Sequence, residues 1–345
     1  MQIPGDRIRI PSPRIIDPHS VGSYRWGVIG AGGIAAQFIG TVQKHTTQKI
    51  VAVASRTHGR ARDYGQRFGI ESHDTYEALV SRDDVDIIYV ATLPSQHFEH
   101  AMLSIAAGKH VLIEKPVALE PSEAREIFEV ARSNGLLAME AMWTRYLPQY
   151  DIIRQLLEDR TFGKIEMVNV SMCQSNLDMK RLFTKNGGDP LFDMGIYAIS
   201  FCQTFLGNPE EITAQAVLNL DGIDEEVSAQ LRYPDGSRAY VLVSGRSGIP
   251  ATGQVSGTRA KMNVGPEFCI PSRIDLSPQE FYGEVSTWQD ESNVQGHDGL
   301  CYQATAMAKF IDQGLVESPF ESHADSIANL EVCEKIVQLI GAQIK

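Results

Sequence analysis

"WGVIGAGGIAAQF", residues 26–38, is a short β-branched run that breaks into glycines and resumes as a helix-forming stretch. Gly30, Gly32 and Ala35 stand in it at the spacing G-x-G-x-x-A. A glycine at the first position permits a tight turn, and one at the second lets the backbone approach a pyrophosphate. A small residue at the third keeps the helix close to the strand. Phosphates bound there meet the N–H groups of the helix start, where Gly33 and Ile34 lie. The spacing by itself is a weak signal, and it gains weight from a strand before it and a helix after it.

Outward from this turn, short β-branched runs alternate with amphipathic stretches from Arg25 to Ala141. "KIVAVAS", "VDIIYVAT", "HVLIEK" and "LLAMEA" read as further strands, with helical spacing between them. The alternation predicts an α/β fold whose first part is a Rossmann-type, doubly wound parallel sheet. After Arg145 the rhythm changes to two helices, several alternating runs with a hairpin at "PDG", and two closing helices. This half reads as an α+β domain on a mostly antiparallel, open-faced sheet. The expected organisation is an extended, proline-bearing arm over residues 1–24, a nucleotide-binding domain over 25–145 and a substrate and dimerisation domain over 146–345. The closing helices are free in this reading to pack back on the nucleotide-binding domain. Between Glu211 and Val264 strands outnumber helices, which predicts a homodimer or higher homo-oligomer joined through the open sheet face.

Composition limits the partners. Of 345 residues 43% are hydrophobic and 21% charged, ordinary for a globular protein, and the length favours two domains. A net charge of −12 with dispersed acids argues against nucleic acid or an anionic membrane. No apolar run is long enough to span a bilayer, and the start lacks the marks of a secretory leader, so a cytoplasmic setting is expected. The five cysteines lie far apart without a C-x-x-C pair and read as reduced thiols.

The second strand ends in Ser55 and Arg56, where binders of NAD usually carry an acid for the ribose hydroxyl. A guanidinium instead suits a 2′-phosphate, and Arg60 lies one helical turn further on, so NADP(H) is expected over NAD(H). In "HVLIEKPVALEPSEA", residues 110–124, Glu114 and Lys115 end a buried strand and Pro116 stops it. Ligands of open α/β sheets bind beyond such ends, so charge there marks a site.

At these residues the sequence resembles a known family. "GVIGAGGIA", "ATLPSQHFEHAMLSIAAGKHVLIEKPVAL" and "GGDPLFDMGIYAI" are similar to the fingerprint, EKP signature and catalytic helix of the glucose-fructose oxidoreductase, inositol dehydrogenase and rhizopine catabolism family. "EAMWTRYLP" resembles its dihydrodiol dehydrogenase branch, which has tyrosine where many relatives carry histidine. The resemblance implies Lys115 as catalytic lysine, Asp193 as substrate-positioning carboxylate and Tyr197 as proton-transfer group. It implies cofactor contacts from Thr92, Pro94, His97, Glu114 and Lys115, with Trp143 and Arg145 bordering nicotinamide and substrate. Asp193 and Tyr197, four apart, share a helix face. A tyrosine has an unperturbed pKa of about 10, which a nearby ammonium and oxidised nicotinamide lower. His97 and His100 form an H-x-x-H without a third ligand, so no metal is expected.

The implied activity is hydride transfer between NADP and a secondary alcohol of a sugar, polyol or trans-dihydrodiol. Two alternatives stand beside it: a non-catalytic NADP-binding regulator, and a sugar–sugar oxidoreductase with tightly held NADP.

Overall fold

The computed structural model describes residues 7–57, 59–184, 188–280 and 283–342, and the chain divides into two units. The first comprises Ile16–Tyr146 with Val294–Ile327, the second Leu147–Asn293 with the described ends of the chain.

In the first unit the glycine-broken run becomes β1 (Arg25–Ile29) and α1 (Gly33–His45). There follow β2 (Lys49–Ala54), α2 (Arg60–Phe68), β3 (Glu71–His73), α3 (Tyr76–Val80), β4 (Ile87–Val90), α4 (His97–Ala106), β5 (His110–Ile113), α5 (Pro121–Ser133) and β6 (Ala138–Glu140). All strands pair in parallel in the order β3-β2-β1-β4-β5-β6, the Rossmann arrangement anticipated from the alternation. Helices cover such a sheet on both faces, which is why β4 is buried at every residue and β5 at all but His110. Phe38 of α1 stacks on Tyr89 of β4 at 4.0 Å and meets Trp26 of β1 at 5.6 Å, pinning the helix to the sheet.

The second unit contains α6 (Pro148–Glu158), β7 (Ile165–Cys173), α7 (Ile196–Leu206), β8 (Glu211–Leu218), β9 (Asp224–Arg232), β10 (Arg238–Ser244), β11 (Ile249–Gly257), β12 (Ala260–Val264), β13 (Arg273–Pro278) and β14 (Ser286–Gln289). Its sheet runs β14-β13-β12-β11-β7-β10-β9-β8 and is antiparallel except where β7 meets β10. Helix α7 lies so close to it that a Cβ on Gly253 would fall 2.4 Å from the Phe201 ring. Along β8 exposed and half-buried residues alternate without one fully buried position.

Val294–Ile327 joins the first unit, although the expected organisation places it in the domain over 146–345, whose closing helices it leaves free to pack back. The reason is α8 (Leu300–Asp312), whose Leu300, Ala304, Met307 and Ala308 are buried as it packs on α1. The last helix, α9, is His323–Ile340. Residues 1–6 of the expected arm lie outside the described residues. The rest is tied to its own chain: Arg14 pairs with Asp151 at 3.2 Å, and Gln48 donates to the Gly22 carbonyl at 2.8 Å. Among the described residues no helix is long and apolar enough to cross a membrane, and all five cysteines are buried thiols.

Candidate functional site

The carboxyl ends of β2, β1, β4 and β5 are neighbours along one edge of the parallel sheet, and each is followed by candidate residues. After β1, Gly30 has a φ of 101° and donates its N–H to the Ala54 carbonyl at 2.9 Å. A Cβ at Gly30 would lie 2.6 Å from the Ala91 carbonyl oxygen, so both conformation and space demand glycine. Gly32 caps α1, and its carbonyl accepts from the Tyr64 hydroxyl at 2.9 Å. A Cβ on Gly32 or Gly33 would meet nothing within 4 Å, so the turn is open beside the half-buried Ile34 where α1 begins. That opening and the helix N-terminus fit a dinucleotide's pyrophosphate.

After β2, Ser55 is buried and its hydroxyl accepts from the Thr57 N–H at 3.2 Å. Arg56 is exposed, its guanidinium 5.2 Å from the centre of the Tyr76 ring. The helical spacing expected between Arg56 and Arg60 is not realised. Gly59, with a φ of 77°, caps α2, so Arg56 precedes the helix that Arg60 opens. A cation–π contact with Tyr76 orients Arg56 instead.

After β4 and β5 two expected cofactor contacts, His97 and Glu114, bond to groups inside the protein. His97 has no exposed surface; Nδ1 donates to the Pro116 carbonyl at 2.8 Å, and Nε2 lies 3.2 Å from the Thr92 carbonyl. Burial lowers its pKa to about 4, so the ring is neutral and its proton belongs to the shorter bond. Glu114 is 6% exposed and accepts from the Tyr89 hydroxyl and, at 3.3 Å, from the Lys115 N–H. Both residues hold the chain from inside. Glu140, buried on β6, completes the hold by accepting the Val117 N–H at 3.0 Å, and burial, helped by the charge of Glu321, pushes its pKa up to about 8. These ties around Lys115–Pro116 come from buried side chains and hold the half-buried Lys115 beyond the end of β5. Thr92 bonds His100 Nδ1 at 3.0 Å, and Pro94 opens the 3-10 turn Pro94–Gln96.

Trp143 is buried, and its ring stacks on His297 with centres 5.7 Å apart. Arg145, expected to border the nicotinamide and substrate, is ion-paired with the buried Glu321. Removing one member of such a pair leaves a buried charge unpaired, at about 3–5 kcal/mol. His297 is the residue that sequence reasoning missed. Its pKa is lowered by partial burial and by the charge of Lys115, and the neighbouring Asp298 anchors it by accepting from Lys44 at 2.8 Å and facing His45 at 3.0 Å on α1. Nothing in "QGHDG" signals this, because the segment meets Trp143 and α1 only once distant parts of the chain have packed together.

Asp193 and Tyr197 belong to the second unit. Asp193 lies in a π-helical turn, Leu191–Gly195, that runs into α7, and its carboxylate meets Arg181 at 3.4 Å. Tyr197, 9% exposed, is the second residue of α7. The segment is helical as expected, but it begins with the wider turn that recurs at functional sites.

Residues 24–142 match the oxidoreductase family with an NAD-binding Rossmann fold, GFO/IDH/MocA, and residues 150–263 match the C-terminal domain of that family. Trans-1,2-dihydrobenzene-1,2-diol dehydrogenase from Sus scrofa is 31% identical over 92% of this chain and 97% of its own. The Mus musculus enzyme of the same name is also 31% identical, again over 92% and 97%. Among solved structures, a 3-ketoreductase from Actinomadura kijaniata in complex with NADP and TDP-benzene is 26% identical, with a TM-score of 0.81 over 92% of this chain and 98% of its own. On these matches, with the parallel sheet and the glycine turn that opens it, the chain belongs to the GFO/IDH/MocA family of oxidoreductases.

Proposed function

We propose that this protein is an NADP-dependent dehydrogenase acting on a secondary alcohol of a sugar, polyol or trans-dihydrodiol, and a carbonyl reductase in the opposite direction. The observation that carries the reading is the Lys115 turn, held by His97, Glu114 and Glu140 at the same sheet edge as the open glycine turn. A regulator that only sensed dinucleotide has no use for a lysine held that firmly. Arg56, with no acid at the end of β2, supports the phosphorylated cofactor. When bound, the nicotinamide supplies the hydride acceptor or donor. Tyr197 takes the alcohol proton during oxidation and returns it during reduction. The Lys115 ammonium stabilises negative charge growing on the substrate oxygen, and Asp193 aligns the substrate. The five buried thiols are in keeping with a cytoplasmic setting.

A panel of sugars, polyols and trans-dihydrodiols with NADP+, followed at the reduced-nicotinamide absorbance band, tests this reading. Turnover is expected with at least one of these classes. Tight NADP binding with no turnover on any of them would instead favour the regulator.

The reading includes a homodimer formed through the open face of the second unit's sheet. A groove there is lined by Asn169, Thr213, Gln215, Gln230, Tyr240 and Leu242, and Met167 and Tyr240 are 44% and 40% exposed. Covering apolar area contributes about 25 cal/mol per Å2, and a second copy of the same face pairs with it by two-fold symmetry. Light scattering at micromolar concentration is expected to give twice the 38.1 kDa chain mass; a particle of 38.1 kDa would refute it.

A further inference from the structure

The turn that carries Asp193 begins on two buried carboxyl groups. Asp189, 8% exposed, accepts the Phe192 N–H at 2.8 Å through Oδ1. Asp224, the first residue of β9 and 1% exposed, accepts the Leu191 N–H at 3.1 Å through Oδ2. Two N–H groups that a helix start leaves without partners are therefore satisfied, one by a local acid and one by an acid brought in from the sheet. Oδ1 of Asp224 is buried and meets no donor among the described residues, and the Asp224 carboxyl group interacts with that of Asp189. Two charged carboxylates buried at such a site repel each other, which favours a proton on the pair.

We propose that Asp224 is a positioning residue: with Asp189 it forms a proton-sharing pair that caps the turn and sets where Asp193 and Tyr197 point. The proposal rests on the reading that those two residues serve the reaction. One net negative charge at a helix start is favourable, whereas two repel each other and force the cap open. Burial raises the pKa of both acids, and for Asp224 the charge of Asp189 adds to it. The charged groups around the pair are Asp193, paired with Arg181, and Glu225 of β9, paired with Arg246 at 2.6 Å. On β7 the Cys173 thiol is kept neutral by burial, and β10 meets the turn with the apolar Val243.

Asp224→Asn reproduces the protonated acid, since its carbonyl accepts from Leu191 and its amide donates to Asp189. Asp224→Ala removes both. With a substrate from the panel, Asp224→Asn is expected to keep the wild-type kcat. Asp224→Ala is expected to lose about tenfold to a hundredfold in kcat while NADPH affinity is unchanged, the loss that a displacement of about 1 Å produces. Melting temperature against pH gives a readout that needs no substrate. Because the folded-state pKa of Asp224 is raised, the folded protein binds the extra proton between the unfolded and folded values. Stability therefore falls across that window as pH rises, and Asp224→Asn is expected to flatten the fall. Wild-type kcat in Asp224→Ala, equal damage in the two variants, or the same pH slope in Asp224→Asn and wild type would each overturn the proposal. If no substrate turns over, the functional reading fails and the melting comparison still decides whether the pair shares a proton.

Discussion

Lys115→Ala and Tyr197→Phe are each expected to lower turnover by at least about a hundredfold while NADP(H) affinity stays close to that of the unaltered protein. The size follows from the roles. A positioned acid–base group is worth about 10²- to 10⁴-fold, and an electrostatic stabiliser of the developing oxyanion is of similar size. Affinity is spared because the cofactor depends on other residues, the Gly30 turn and Arg56. The alternative, that Lys115 is an ordinary solvated strand end, sits poorly with a turn whose neighbours are tied to His97, Glu114 and Glu140. Steady-state kinetics on any substrate from the panel, beside a fluorescence titration of NADPH, separates the two. Near-normal turnover in both variants would remove the proposed mechanism.

The second large effect is on cofactor choice. Arg56→Ala is expected to weaken NADP(H) binding about tenfold to a hundredfold and NAD(H) binding little, because a charge-assisted bond to the 2′-phosphate contributes about 1.5–3 kcal/mol. The Tyr76 ring, 5.2 Å from the guanidinium, holds Arg56 at the end of β2 before any ligand arrives, which lowers the ordering cost on binding. Equal losses for the two cofactors in parallel titrations would show that Arg56 reads no phosphate.

Where the sequence reading fell short, the elements are short or polar. β3 is three residues, "ESH", at the sheet edge with no buried position, so it lacks the β-branched run that marked its neighbours. α3 has five residues, too few for helical periodicity to register. β13 ends on Pro278 and β14 has only Ser286–Gln289, so neither stands out from the turns around it. At the site, residue type was legible and direction was not. Glu114, His97 and Arg145 are expected near the cofactor or substrate, and the structure adds that each also bonds a buried partner.

The family resemblance supplied the roles of Lys115, Asp193 and Tyr197; the sequence by itself determined the alternation that makes the parallel sheet, the glycine turn that opens it, and the charge of Lys115 just past a strand end. These are local properties: hydrophobic period, turn chemistry and the residue that ends a strand can be read within a few positions of each other. The tertiary structure decided the rest. It placed Val294–Ile327 with the first unit, set His297 against Trp143, turned Glu114 inward and brought Asp224 to the start of the turn that carries Asp193. Each of these depends on where a distant segment packs, and a side chain in a loop has no periodicity to declare its direction. Its orientation is settled only when burial obliges every polar group to find a partner.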